Sequence, residues 1–203
     1  MERFEKDNIP PQIRGKKLDI TKQRLFRDPL KLKATFTEAR NRLLHINNWA
    51  DLVAGASSTF YLLDKTGQEV SRIAKEGDYV KIDIPGPGPA HGNGFDWVTI
   101  TKIDERLEEL YVMLTLKPAP PPDKPDSGKV AHFFKANAST TLVVKVEDEK
   151  LTVIYAGRNE EINRENDRSL DNIRNMFVGL GAKLGLSHPQ WEKLVLGILG
   201  SEN

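Results

Sequence analysis

The chain has 203 residues, 38% of them hydrophobic and 29% charged, with a formal net charge of +1. That is long enough for one well-buried domain and short for two, and the balanced charge implies neither a nucleic-acid partner nor an acidic substrate. There is no cysteine, which excludes disulfides, thiol nucleophiles and thiolate metal sites and fits a reducing, cytoplasmic location.

Residues 1–34 read as a basic, weakly periodic N-terminal arm, with ten Lys and Arg against five acids. The arm has no apolar run of secretory type, and no stretch of the chain is apolar enough for a membrane span. A basic arm can touch phosphates or a protein partner. This one lacks the interleaved aromatics on which single strands stack, so a solvated segment packed along the domain is the plainer reading.

A single α+β domain is expected from residue 35 to 203. Leu32, Ala34 and Phe36 alternate like the end of a short strand. Thr35 to Glu38 reads equally as a capping box, opening a helix with Phe36, Ala39, Leu43 and Ile46 on one face. Asn47 and Asn48 stop it, and Trp49 and Leu52 plug the core. Thr59–Leu63 is a strand, Lys65-Thr66-Gly67 a hairpin turn, and Val70–Ile73 the return strand.

The block from Gly77 to Trp97 is the most locally specified part of the chain. Val80, Ile82 and Ile84 alternate with polar residues as in a half-buried strand. Four glycines (Gly86, Gly88, Gly92, Gly94) and three prolines (Pro85, Pro87, Pro89) then form a loop. His91, Phe95, Asp96 and Trp97 close it as the chain re-enters a strand. A phosphate loop would open a helix and offer its amides; this one returns to a strand and lacks the GxGxxG spacing. It is either a rim over a pocket or a long hairpin loop anchored by Trp97.

Trp97–Ile103 and Leu110–Leu116 pair as a further hairpin. Residues 117–128 hold five prolines and form a Pro-rich loop, a stiff surface connection that also suits a docking partner. His132 and Phe133 follow it. The histidine is an acid, base or ligand at neutral pH, or a satisfied residue at a strand start. The four histidines share no metal-ligand spacing, so no metal and no cofactor are expected. Leu142–Val146 and Leu151–Tyr155 make the last strands. Arg158, at a strand end, is placed to fork to a carboxylate or phosphate, or to pair with Glu160 or Glu161. Ser169 caps a helix carrying Ile173, Phe177, Leu180 and Leu184. Ser187 to Gln190 opens a second helix with Trp191, Leu194, Val195 and Ile198.

The expected fold is α+β: an antiparallel sheet of about six strands, with an N-terminal helix and two C-terminal helices packed on it. From Lys31 to Leu184 this element order resembles the helix-grip fold of the START and polyketide-cyclase-like superfamily. The resemblance implies a curved sheet wrapped on the last helix around an apolar cavity, and a role in binding a hydrophobic small molecule. The chain departs from that pattern in its second capped helix, in Gly179 and Gly181, and in the Pro-rich loop. A small SH3-like open barrel built from residues 58–116 is the competing architecture.

Three functions remain open. One is a pocket for an apolar ligand beneath the 85–96 loop, with His91, Phe95, Asp96, Trp97, His132, Phe133 and Arg158 near its mouth. Another is a protein-interaction module using the N-terminal arm or the Pro-rich loop. The third is a hydrolase or lyase with His132 or His91 as base. No GxSxG elbow is present.

Overall fold

In the computed structural model, residues 8–53, 58–84, 88–163 and 188–200 are described. Among the described residues one seven-stranded antiparallel sheet, in the order β1-β7-β6-β5-β4-β3-β2, carries three α-helices. The strands are β1 (Lys16–Leu25), β2 (Thr59–Leu63), β3 (Tyr79–Asp83), β4 (Asp96–Arg106), β5 (Tyr111–Pro118), β6 (Ser139–Glu147) and β7 (Lys150–Glu160). The helices are α1 (Pro29–Leu44), α2 (Trp49–Leu52) and α3 (His188–Leu199). The strands of residues 58–116 are thus part of one larger sheet and not a separate barrel.

The first helix starts earlier than the Thr35 box suggests. Asp28 is the N-cap, its Oδ1 accepting from the Leu30 N–H at 2.8 Å, and Pro29 occupies the first turn, where its missing N–H costs nothing. Thr35 is mid-helix, donating its hydroxyl back to the Lys31 carbonyl. Leu32, Phe36, Ala39 and Leu43 form the buried stripe, each large side chain contributing roughly 1.5–3 kcal/mol by leaving water. Residues 16–25 of the basic N-terminal stretch form β1, antiparallel to β7.

Val70–Ile73 is not the return strand of β2; Tyr79–Asp83 is. The Asp64 carboxylate accepts from the Thr66 and Gln68 N–H groups and turns the chain after β2. Only the single bridge Leu63–Glu69 forms before the segment leaves the sheet. Arg72 forks to both oxygens of Asp78, and the Ala74 N–H donates to the Leu44 carbonyl, tying this excursion to the end of α1.

The core lies on the sheet face that α1 and α3 cover. It holds Leu62, Val80, Val98, Ile100, Val112, Leu114, Leu116, Leu142, Val144, Val153 and Tyr155 from the strands. Leu194, Val195, Ile198 and Leu199 of α3 join it. Helix α3 approaches α2 closely at Gly197, where a Cβ would lie 2.6 Å from the Leu52 carbonyl oxygen. The helix expected from Ser169, including Arg174 and Asn175, and residues 85–87 of the loop lie outside the described residues. Among the described residues no helix is long and apolar enough to cross a membrane.

Candidate functional site

A cavity of about 60 Å³ opens on the covered face of the sheet. One ordered water needs only ~10–15 Å³ of such space, so the cavity has room for a small organic molecule. Its walls are aliphatic side chains of β3, β4 and β5, namely Val80, Ile82, Val98 and Leu116, closed by Trp49, Phe60 and Trp191. The segment after the Pro-rich loop supplies His132, Phe133 and Phe134. Phe133 and Phe134 have ring centroids 3.9 Å apart. This segment runs beside the end of β7: Phe134 bridges Ile162, the Lys135 N–H donates to the Glu161 carbonyl, and the Asn163 N–H to that of Phe133.

Polar groups are few. Burial holds His132 down, to about 3, so the ring is neutral at ordinary pH. The Phe134 N–H donates to Nδ1 at 3.0 Å. With that lone pair engaged, the ring proton sits on Nε2 and the imidazole is a donor. Asp96, 5% exposed, accepts from the Phe133 N–H at 2.8 Å. Burial pushes its carboxyl up to about 7, against the pull of that N–H. Ser139 lines the cavity, and its buried hydroxyl has no hydrogen-bond partner among the described residues.

The one acidic lining residue, Glu160, reaches the cavity through an irregularity in β7. Lys16 pairs with Glu160 and Leu18 with Gly157. One β1 residue therefore faces the two-residue bulge of Arg158 and Asn159. In a regular strand Tyr155 and Glu160 would point to opposite faces, because side chains alternate. The bulge turns Glu160 back over Gly157, where the Tyr155 hydroxyl donates to Glu160 Oε1 at 3.3 Å. Gly157 leaves room here: a Cβ would overlap Glu160 Oε1, which would have to shift, and lie 3.1 Å from the Tyr155 oxygen. Asn159 holds the bulge at φ 55°, a left-handed conformation that Asn tolerates. The N-terminal chain clasps it: Asn159 Oδ1 accepts from the N–H groups of Ile13 and Arg14, and its Nδ2 donates to the Pro11 carbonyl.

The seven residues singled out from sequence fall in four places. His132 and Phe133 line the cavity, with Asp96 bonded directly behind Phe133. Trp97 and Phe95 belong to a separate small cluster with Leu63 and Ala131. There the Trp97 Nε1–H donates to the Gly92 carbonyl and anchors the loop. His91 is on the outside of that loop, Nε2 lying 3.0 Å from Ser127 Oγ. Arg158 pairs with Asp19 of β1. None of the described residues 88–96 of the 85–96 loop lines the cavity, although Ile84 just before it does. Trp49, Trp191, Ser139 and Glu160 line the cavity without having been singled out. The two tryptophans carry a sequence signal as large apolar residues in otherwise polar surroundings; Glu160 carries none. Among the described residues no three His, Asp or Glu side chains converge to hold a metal ion.

No protein-family model matches the chain, and no curated protein matches it. Solved structures do. A hypothetical protein of Helicobacter pylori has 10% identity and a TM-score of 0.48, over 88% of this chain and 84% of its own. Truncated norcoclaurine synthase from Thalictrum flavum has 10% identity and a TM-score of 0.44, over 94% and 96%. The Zhui aromatase/cyclase from a Streptomyces species has 8% identity and a TM-score of 0.44, over 91% and 92%. At these identities and scores the likeness concerns the course of the chain alone.

Proposed function

We propose that this protein binds a small, largely apolar molecule in the cavity between the sheet and the segment 132–134. The observation that supports the reading is the cavity itself. Its wall is mostly aliphatic and aromatic, with Ser58, His132, Ser139, Thr140 and Glu160 as its polar residues, the composition typical of small-molecule sites. An apolar cavity of this size left empty would cost packing energy, and an apolar ligand recovers it. The neutral His132 ring acts as a hydrogen-bond donor at the wall. Its Nδ1 lone pair is already engaged by Phe134, which leaves it poorly placed as a base.

The test is a titration with p-xylene, followed by NMR, of the wild-type protein and of Ile82→Trp. Ile82 lines the cavity, and the larger indole fills it. Saturable binding to the wild type that is lost in Ile82→Trp is the expected result. Binding that survives the filling, or no binding to either, places the function elsewhere.

A further inference from the structure

The bulge in β7 sets an acid into an apolar wall. Glu160 lines the cavity and shares a hydrogen bond with the Tyr155 hydroxyl. Tyr155 is itself held in place by stacking on Trp191 at 4.6 Å and by a hydrogen bond with Thr140. Ser139 and Thr140, on the neighbouring strand, line the same cavity. Exposed carboxylates are hydrated cheaply; one brought to an apolar cavity is not. A glycine at 157 leaves room for it, and a left-handed residue at 159 turns the chain to bring it there.

We infer that Glu160, with Tyr155 and Ser139 beside it, forms the polar end of the ligand site and accepts a hydrogen bond from a hydroxyl group of the ligand, an alcohol or a phenol. This rests on the ligand-binding reading above. The choice of a hydroxyl over an amine comes from the charges around Glu160. Burial raises its pKa, while Lys16 and Arg158 pull it down. Lys16 is the cross-strand partner of Glu160, whereas Arg158 is held by Asp19; one cation therefore already flanks this carboxylate, and an incoming ammonium would meet it. A neutral hydroxyl meets no such repulsion and offers the donor that a carboxylate oxygen lacks. The ligand is thus an amphiphile of one-ring to two-ring size, apolar along its body and hydroxylated at one end.

The experiment compares three probes of nearly the same shape: p-xylene, p-cresol and 4-methylbenzylammonium. Dissociation constants are read by NMR titration of the full chain. The wild type should bind p-cresol at least about five-fold more tightly than p-xylene, since a hydrogen bond to a charged group outweighs the lost methyl burial. The ammonium should be the weakest of the three. In Glu160→Leu the preference for p-cresol should vanish or reverse, and in Glu160→Gln it should shrink, because the amide oxygen still accepts. Saturable p-xylene shifts show that each variant retains its cavity. Equal or weaker binding of p-cresol by the wild type overturns the inference while leaving the ligand site standing. So does a preference that survives in Glu160→Leu, or an ammonium that binds tightest. Failure of every probe, p-xylene included, overturns both readings.

Discussion

The Phe133 backbone N–H and the Asp96 carboxylate are joined at 2.8 Å, which ties one wall of the cavity to the first residue of β4. The acid making this bond is almost fully buried and carries a pKa of about 7. The residue before Phe133 is His132, equally buried and pushed the other way, to about 3.

These two groups set opposite pH dependences of stability. Asp96 keeps its proton in the folded state up to about 7, whereas the unfolded chain releases it near the ordinary 3.8. Its contribution is complete below about pH 4 and is lost as pH rises to 7. His132 stays neutral in the folded state, while the unfolded chain takes a proton below the ordinary 6.5. Its contribution is complete above pH 6.5 and is lost as pH falls toward 3. Each shift is worth on the order of 4 kcal/mol, so in the wild type they largely cancel between pH 4 and 6.5. In Asp96→Asn the histidine acts alone, and stability should fall on acidification through that window and exceed wild type at pH 7 and above. In His132→Gln the acid acts alone, and stability should rise on acidification. Urea midpoints at several pH values check both, and two parallel profiles would contradict the assignment.

Trp97 and His91 share a loop and should behave differently. Trp97 is 7% exposed and hydrogen-bonded to Gly92, so Trp97→Ala should cost about 3–5 kcal/mol. His91, half-buried with Nε2 3.0 Å from Ser127 Oγ, should change stability by less than about 0.5 kcal/mol when replaced by alanine. Thermal melts of the two variants measure this. His91→Ala melting as low as Trp97→Ala would show that the loop packs differently.

The left-handed Asn159 should resist replacement. Asn159→Ala loses the clasp on Ile13, Arg14 and Pro11 and places a Cβ in a disfavoured conformation. The expected loss is roughly 2–4 kcal/mol. Asn159→Gly keeps the conformation and should lose less. Equal losses in chemical denaturation would mean that the clasp alone matters.

Gly157→Ala forces a methyl against Glu160 Oε1 and the Tyr155 hydroxyl. It should cost about 1–3 kcal/mol and shift the NMR signals of Tyr155 and Trp191. A variant as stable as wild type with unmoved signals would show that Glu160 does not lie over residue 157.

The strand pattern was largely legible because the core strands alternate cleanly, as Leu142, Val144, Leu151 and Val153 do. The start of α1 was misplaced because two capping signals compete, Asp28-Pro29 and Thr35–Glu38, and only the first also buries Leu32. Val70–Ile73 reads as a strand because β-branched Val70 and Ile73 follow a turn, yet its pairing is decided by the Asp64 turn and the Arg72–Asp78 fork. His132 and Phe133 stood out by residue type. Glu160 did not, because its direction depends on a bulge held by residues near 12–14, about 146 positions away in the chain, and no local pattern encodes that.

The most direct test of the account is methyl NMR of the full chain during a p-xylene titration. Saturable shifts at Val80, Ile82, Val98 and Leu116, which line the cavity, with Val143 unmoved on the other side of β6, are the result the account predicts. Saturating p-xylene that leaves those four residues unmoved would contradict it.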